Sequence, residues 1–200
     1  MGTTRDLIAD HLGEIAQLAG AVGEVLGSRI EEVAELVLSS LRQGGRLFFC
    51  GNGGSAADAQ HLAAEYVIRF RGSRRALPAL ALTTDTSVLT AGANDLGYDT
   101  VFARQIEALA REGDLLFLHS TSGESDNLLL AAREARERGV TTVAFLAKGG
   151  GPLASLVDHA LVVPTESTAR AQEMHLAMGH IVCHLVDAAI MEEEEEEEQE

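Results

Sequence analysis

The sequence has no tryptophan, and aromatic residues fill only 4% of its 200 positions. A core made from it must rest on Ala, Leu, Val and Ile, which suits helices packed on a parallel sheet. Cysteine is also scarce. Cys50 and Cys183 are the only two, far apart and each inside an apolar run. That excludes a disulfide framework and reads as two buried, reduced thiols in a cytoplasmic protein. Positive charge is short as well: 15 Lys and Arg stand against 31 Asp and Glu, for a formal net charge of −16. Eight of the acids are Glu192 to Glu198 and Glu200, which leaves −8 for the rest. A body that acidic argues against a nucleic-acid partner. The tail itself, MEEEEEEEQE over 191–200, is a like-charge block expected to be disordered, either a solubilising end or a docking segment for a basic partner. No apolar run reaches the length of a membrane span, and MGTTRDLIADHL has no signal-peptide core, so no membrane partner is expected.

What is present is 46% apolar residues over a length that suits one domain, taken as 1–190. Leu7, Ile8, Leu12, Ile15, Leu18 and Ala19 have helical spacing over 4–20, behind Thr3 or Thr4 as a cap. Ile30, Val33, Leu36, Val37 and Leu41 repeat it over 28–42, closed by Gly44-Gly45. Two such helices predict an N-terminal helical hairpin over 1–43 that needs the sheet or a second subunit to cover it. Strands then alternate with helices. The strands are expected at 46–50, 79–83, 114–120, 141–147 and 159–164. The helices are expected at 54–70, 86–93, 100–110, 125–138 and 169–190. The alternation predicts an α/β fold, a five-stranded parallel sheet with helices on both faces. Right-handed crossovers put the turns at 51–55, 84–87 and 120–125 on one edge of that sheet.

Those turns carry the chemistry. Gly51-Asn52-Gly53-Gly54-Ser55 lets the backbone turn tightly at a helix N-terminus, where free N–H groups suit an anion. It is either an anion site or a tight turn, and it is neither a Walker A loop nor G-x-G-x-x-G. Ser120-Thr121-Ser122-Gly123-Glu124-Ser125 places four hydroxyls at another helix start, a second cradle that needs no formal charge. Two such turns at one sheet edge point to phosphate. His61 and Glu65 are four apart and share a helix face flanked by Ala57, Ala64 and Ile68. On the last helix Gln172 and His180 lie roughly on one face. His175 reads as flanking or exposed, and His184 follows one turn later. Spacing alone does not choose among these histidines. Asn94 and Asp95 are either sugar ligands or helix caps.

In this order and spacing, GNGGSAADAQHLAAE, LTTDTSVLTAGANDLGY, FARQIEAL, STSGES and RAQEMHLAMGHIVCHLVD resemble the phosphoheptose isomerase family of the SIS (sugar isomerase) domain group. The resemblance covers nearly all of residues 1–190. It implies a flavodoxin-like three-layer sandwich and isomerisation of sedoheptulose 7-phosphate to a manno-heptose 7-phosphate through an enediol, the first step of ADP- or GDP-heptose biosynthesis for lipopolysaccharide or another glycoconjugate. It implies Glu65 as the base and His180 as the partner acid. It implies one Zn2+ per subunit on His61, Glu65, Gln172 and His180. Ser55, Ser120, Thr121, Ser122 and Ser125 match substrate-contacting positions, as do Asn52, Gly53, Gly54, Glu65, Arg69, Asn94, Asp95 and Gln172. A homotetramer with sites at subunit interfaces is implied too. The chain departs from the pattern at Glu124, often Asn, at Ala169, Asp or Pro in some members, and at His119, usually apolar. Two other readings share the scaffold: a binding protein that partners a replication initiator or senses a sugar phosphate, and an isomerase of another sugar phosphate.

Overall fold

The computed structural model describes residues 2–197 and 199. It opens on one helix, α1, Thr4–Arg42. The expected hairpin is therefore corrected. Gly20, Gly23 and Gly27 each weaken a helix by about 1 kcal/mol relative to Ala but leave its hydrogen bonds intact, and no proline breaks them. Meanwhile Val22, Leu26, Ile30, Val33 and Val37 are buried at steps of three and four, so one stripe seats the helix across the glycines. Thr3 and Asp6 close a capping box at its start.

β1 (Leu47–Gly51), α2 (Gly54–Val67), β2 (Ala79–Ala81), α3 (Thr86–Asp95), a short 3-10 turn (Tyr98–Thr100) and α4 (Val101–Leu109) follow. Next come β3 (Leu115–His119), α5 (Asp126–Glu137), β4 (Thr141–Leu146), the one-turn α6 (Gly151–Ala154), β5 (His159–Val162) and α7 (Thr168–Glu197). The five strands pair in parallel in the order β2-β1-β3-β4-β5. Because side chains alternate across a strand, each one feeds two cores. Leu47, Phe49, Leu115, Phe117, Val143 and Phe145 pack under α1, α2 and α7. Phe48, Cys50, Leu116, Leu118, Ala144 and Leu146 pack under α4 and α5. The central strands β1 and β3 are buried along their whole length, hence apolar runs rather than alternation. Cys50 and Cys183 are buried free thiols.

The tail also differs from expectation. α7 runs on through Glu197, so 192–197 is helical rather than disordered. Glutamate is a good helix former, Arg42 pairs with Glu193, and the Arg75 amide donates to Glu194 at 3.1 Å. Residues 198 and 200 lie outside the described residues. Part of α7 is apolar enough to cross a membrane by composition alone. Here Met174, Met178, Val182, Val186 and Ile190 are buried against the sheet.

Candidate active site

In an open parallel sheet, ligands sit beyond the C-terminal strand edge where the strand order reverses. That reversal falls between β1 and β3. Gly51 is in register with His119, so Asn52 and Ser120 leave the sheet side by side. The two turns expected from the sequence are thus neighbours.

The first turn is braced from the far side of the sheet. Asn52 and Asn127 exchange amide hydrogen bonds of 2.9 Å in both directions, and the Tyr98 hydroxyl donates to Asn52 Oδ1 at 3.0 Å. Neither Asn127 nor Tyr98 was singled out by sequence. Their only signals were an amide in the first turn of a helix and one of two tyrosines in the chain. Gly53, at φ +58°, caps α2, and a side chain at Gly54 would strike the Gln172 amide at 2.5 Å. In the second turn Ser120 Oγ accepts from the Gly123 amide at 2.9 Å, and Ser122 Oγ accepts from Glu124 N–H at 3.3 Å. Ser125 starts α5 without capping it, and Thr121 and Ser125 are half-buried. Ser55 is buried at the start of α2.

α2 and α7 run side by side in the same direction. Gly179 is what lets them touch, since a Cβ there would lie 2.6 Å from the Leu62 side chain. Two turns beyond Gly54 and Gln172, the pair brings together His61, Glu65 and His180. His61 Nε2 lies 3.1 Å from Glu65 Oε1 and 3.0 Å from His180 Nε2. Phe70, which sequence reading missed, stacks on the His180 ring at 5.2 Å. Burial, and then the nearby His61, hold the His180 imidazole below its ordinary range, with Glu65 pulling the other way. A neutral ring offers a lone pair. Asp58, one turn before His61, has a buried oxygen with no partner among the described residues, and burial pushes its carboxyl up to about 6 against the pull of His61.

The three donor atoms lie within 4.8 Å of one another. Tetrahedral zinc with bonds of 2.0–2.1 Å sets its ligand atoms about 3.3 Å apart, so two imidazole nitrogens and a carboxylate oxygen at these spacings fit the ion. Gln172 stands apart: eight residues before His180 is about 12 Å along the helix, and its amide rests on Gly54. Asn94 and Asp95 are exposed at the end of α3, bonded to each other at 2.6 Å, three to four residues from Tyr98. Arg69 is exposed one turn past Glu65. His175, read as flanking or exposed, is fully buried, and His119 lies beside it.

Residues 10–147 match the SIS domain family model. A phosphoheptose isomerase from Roseiflexus sp. is 53% identical over 170 residues, 85% of this chain and 86% of that protein. The chain belongs to the phosphoheptose isomerase family. Solved members of it superpose closely. Phosphoheptose isomerase from Neisseria gonorrhoeae gives a TM-score of 0.87 at 41% identity, covering 93% of this chain and all of that one. The Francisella tularensis protein gives 0.90 at 34% identity, covering 94% and 100%.

Proposed function

We propose that this protein interconverts sedoheptulose 7-phosphate and D-glycero-D-manno-heptose 7-phosphate, opening nucleotide-heptose biosynthesis. The observation that carries the reading is one carboxylate and two imidazoles clustered about two turns along α2 from the anion-suited turns at the sheet's switch point. In the ketose direction Glu65 takes a proton from C1 while His180 supplies one to the C2 oxygen, giving the enediol. Glu65 then returns the proton to C2 as the C1 hydroxyl passes its own to His180, leaving the aldehyde and restoring both groups. The substrate alone changes, so no redox cofactor enters. Backbone N–H groups and hydroxyls of residues 120–125 hold the phosphate. Asn52 to Ser55 and Gln172 hold the sugar end, with Arg69, Asn94 and Asp95 at the rim. His61, Glu65 and His180 would hold Zn2+, which when bound polarises substrate oxygens, while Gln172, set apart against Gly54, is left to the sugar.

The test follows C1 and C2 protons by NMR in D2O with purified protein. Turnover with deuterium entering C2 is expected, and Glu65→Gln should abolish it while heptose phosphate still binds. Binding without turnover in the unaltered protein would leave a sugar-phosphate sensor instead. A panel of five-, six- and seven-carbon ketose phosphates fixes the sugar. Buried free thiols support a cytoplasmic location. Leu7, Ile8 and Leu12, more than half exposed on the free end of α1, support assembly into a homotetramer.

A further inference from the structure

The cluster at the cleft leaves two buried histidines unused. His119 ends β3, directly before the serine turn, and His175 sits on α7 across the sheet face from it. Both are 0% exposed. His175 Nε2 is 3.0 Å from the Leu146 carbonyl, which can only accept, so Nε2 carries the proton and Nδ1 is a bare acceptor. That Nδ1 and both His119 nitrogens meet no partner among the described residues. The rings of Phe49 and Phe145 also lie against them and supply no polar atom. Burial, first of all, and then His175, push His119 down to about 3, and burial takes His175 to about 4 against the pull of Leu146, so both rings are neutral near pH 7. A neutral imidazole has one donor and one acceptor, and leaving either unmet in a core is costly.

Spacing indicates what lies between them. His61 and His180, in direct contact at 3.0 Å, have ring centroids 5.0 Å apart. The centroids of His119 and His175 are 6.4 Å apart. Two hydrogen bonds of about 2.8 Å meeting at one oxygen at a near-tetrahedral angle span about 4.5 Å, roughly 1.5 Å more than a direct contact.

We propose that His119 and His175 hold a buried water between them, and that this bridge fixes the serine turn to α7. His119 N–H donates to the water, the water donates to His175 Nδ1, and His175 Nε2–H donates to Leu146 O. The bridge then runs from the strand that ends at His119, just before Ser120, to the helix that carries Gln172 and His180. His119 is a positioning residue here, not a catalytic one. Only this last role rests on the proposed isomerase activity.

A crystal structure of the full chain at high resolution should show an ordered oxygen within about 3.2 Å of a nitrogen of each ring. Rings without it overturn the site. His119→Leu and His175→Leu each strand the other imidazole, and each should lower Tm by about 3–8 °C. The double variant should recover at least half of the larger loss, because removing both partners removes the unmet groups. Additive losses overturn the pairing. His119→Leu should also raise KM for the sugar phosphate about three- to tenfold with kcat within twofold, and His119→Gln, which keeps a donor and an acceptor, should restore it. An unchanged KM in His119→Leu overturns the positioning role. The structure and the Tm cycle read the bridge without any turnover, so they stand or fall apart from the isomerase reading.

Discussion

At the residue scale, spacing within one helix was legible and pairing between elements was not. His61 and Glu65 four apart, and Gln172 and His180 eight apart, could be read as shared faces, and three of the four meet. What sequence could not show is which side chains hold these in place. Asn52 is fixed by Asn127, 75 positions later, and by Tyr98. Tyr98→Phe removes one bond to Asn52 Oδ1 and leaves the reciprocal amide pair, so KM should rise about two- to fivefold, equal to a hydrogen bond of about 0.5–1 kcal/mol, with kcat little changed. Steady-state kinetics on the heptose phosphate checks it. His175 was misread because helical spacing places a residue on a face without saying what covers that face. Its burial has a consequence in pH. An unfolded chain protonates His119 and His175 near 6.5, and the folded one resists until about 3 and 4. Between those values the unfolded state holds more protons, so stability is lost as pH falls, by about 1.4 kcal/mol per unit for each ring. Tm should be flat in this respect above pH 7 and drop from 6.5 towards 4. The double leucine variant should lose most of that slope in calorimetry.

At the element scale, every strand and the order of helices were readable, because fully buried strands are short apolar runs between glycine and polar turns. The errors came at α1 and at the end of α7. Interior glycines looked like breaks, yet a continuous buried stripe outweighs about 1 kcal/mol apiece. A run of like charge looked unstructured, yet arginines from two other segments meet it. A third arginine from the same polar loop does more. Arg74 is buried against Asp187 of α7 at 2.5 Å and donates to the carbonyls of Glu65 and Tyr66 at 2.9 Å. It therefore ties the C-terminal end of α2, and Glu65 with it, to α7. Four arginines, Arg69, Arg71, Arg74 and Arg75, follow α2, and sequence alone does not show which one turns inward. Arg74→Ala leaves Asp187 buried without its partner and should cost about 3–5 kcal/mol, read as a lower urea midpoint with unchanged m. Conversion of Arg75, which is half exposed beside Glu194, should cost at most about 1 kcal/mol.

At the scale of the whole molecule, alternation and right-handed crossovers put the two anion-suited turns on one sheet edge, and the structure adds the order β2-β1-β3-β4-β5, which brings the switch point to where they leave the sheet. What one chain leaves unsatisfied is the start of α1. The helix is about 58 Å long at 1.5 Å per residue, and burial in the body begins only at Val22. Ile15 and Leu18 touch the core's margin, whereas Leu7, Ile8 and Leu12 keep more than half their surface in water. These three share one side of the helix at steps of one and four, a stripe that nothing among the described residues covers. Burying a leucine or isoleucine fully is worth about 1.5–3 kcal/mol, so repeated in each copy the stripe can supply a large share of an assembly's free energy. Changing Leu7, Ile8 and Leu12 together to Ser should therefore convert the assembled form to smaller species in light scattering at micromolar concentration. The sheet should stay folded, since the buried stripe from Val22 to Leu41 is untouched, and circular dichroism reads that directly. Unchanged mass in the triple variant would mean that this stripe joins no copies.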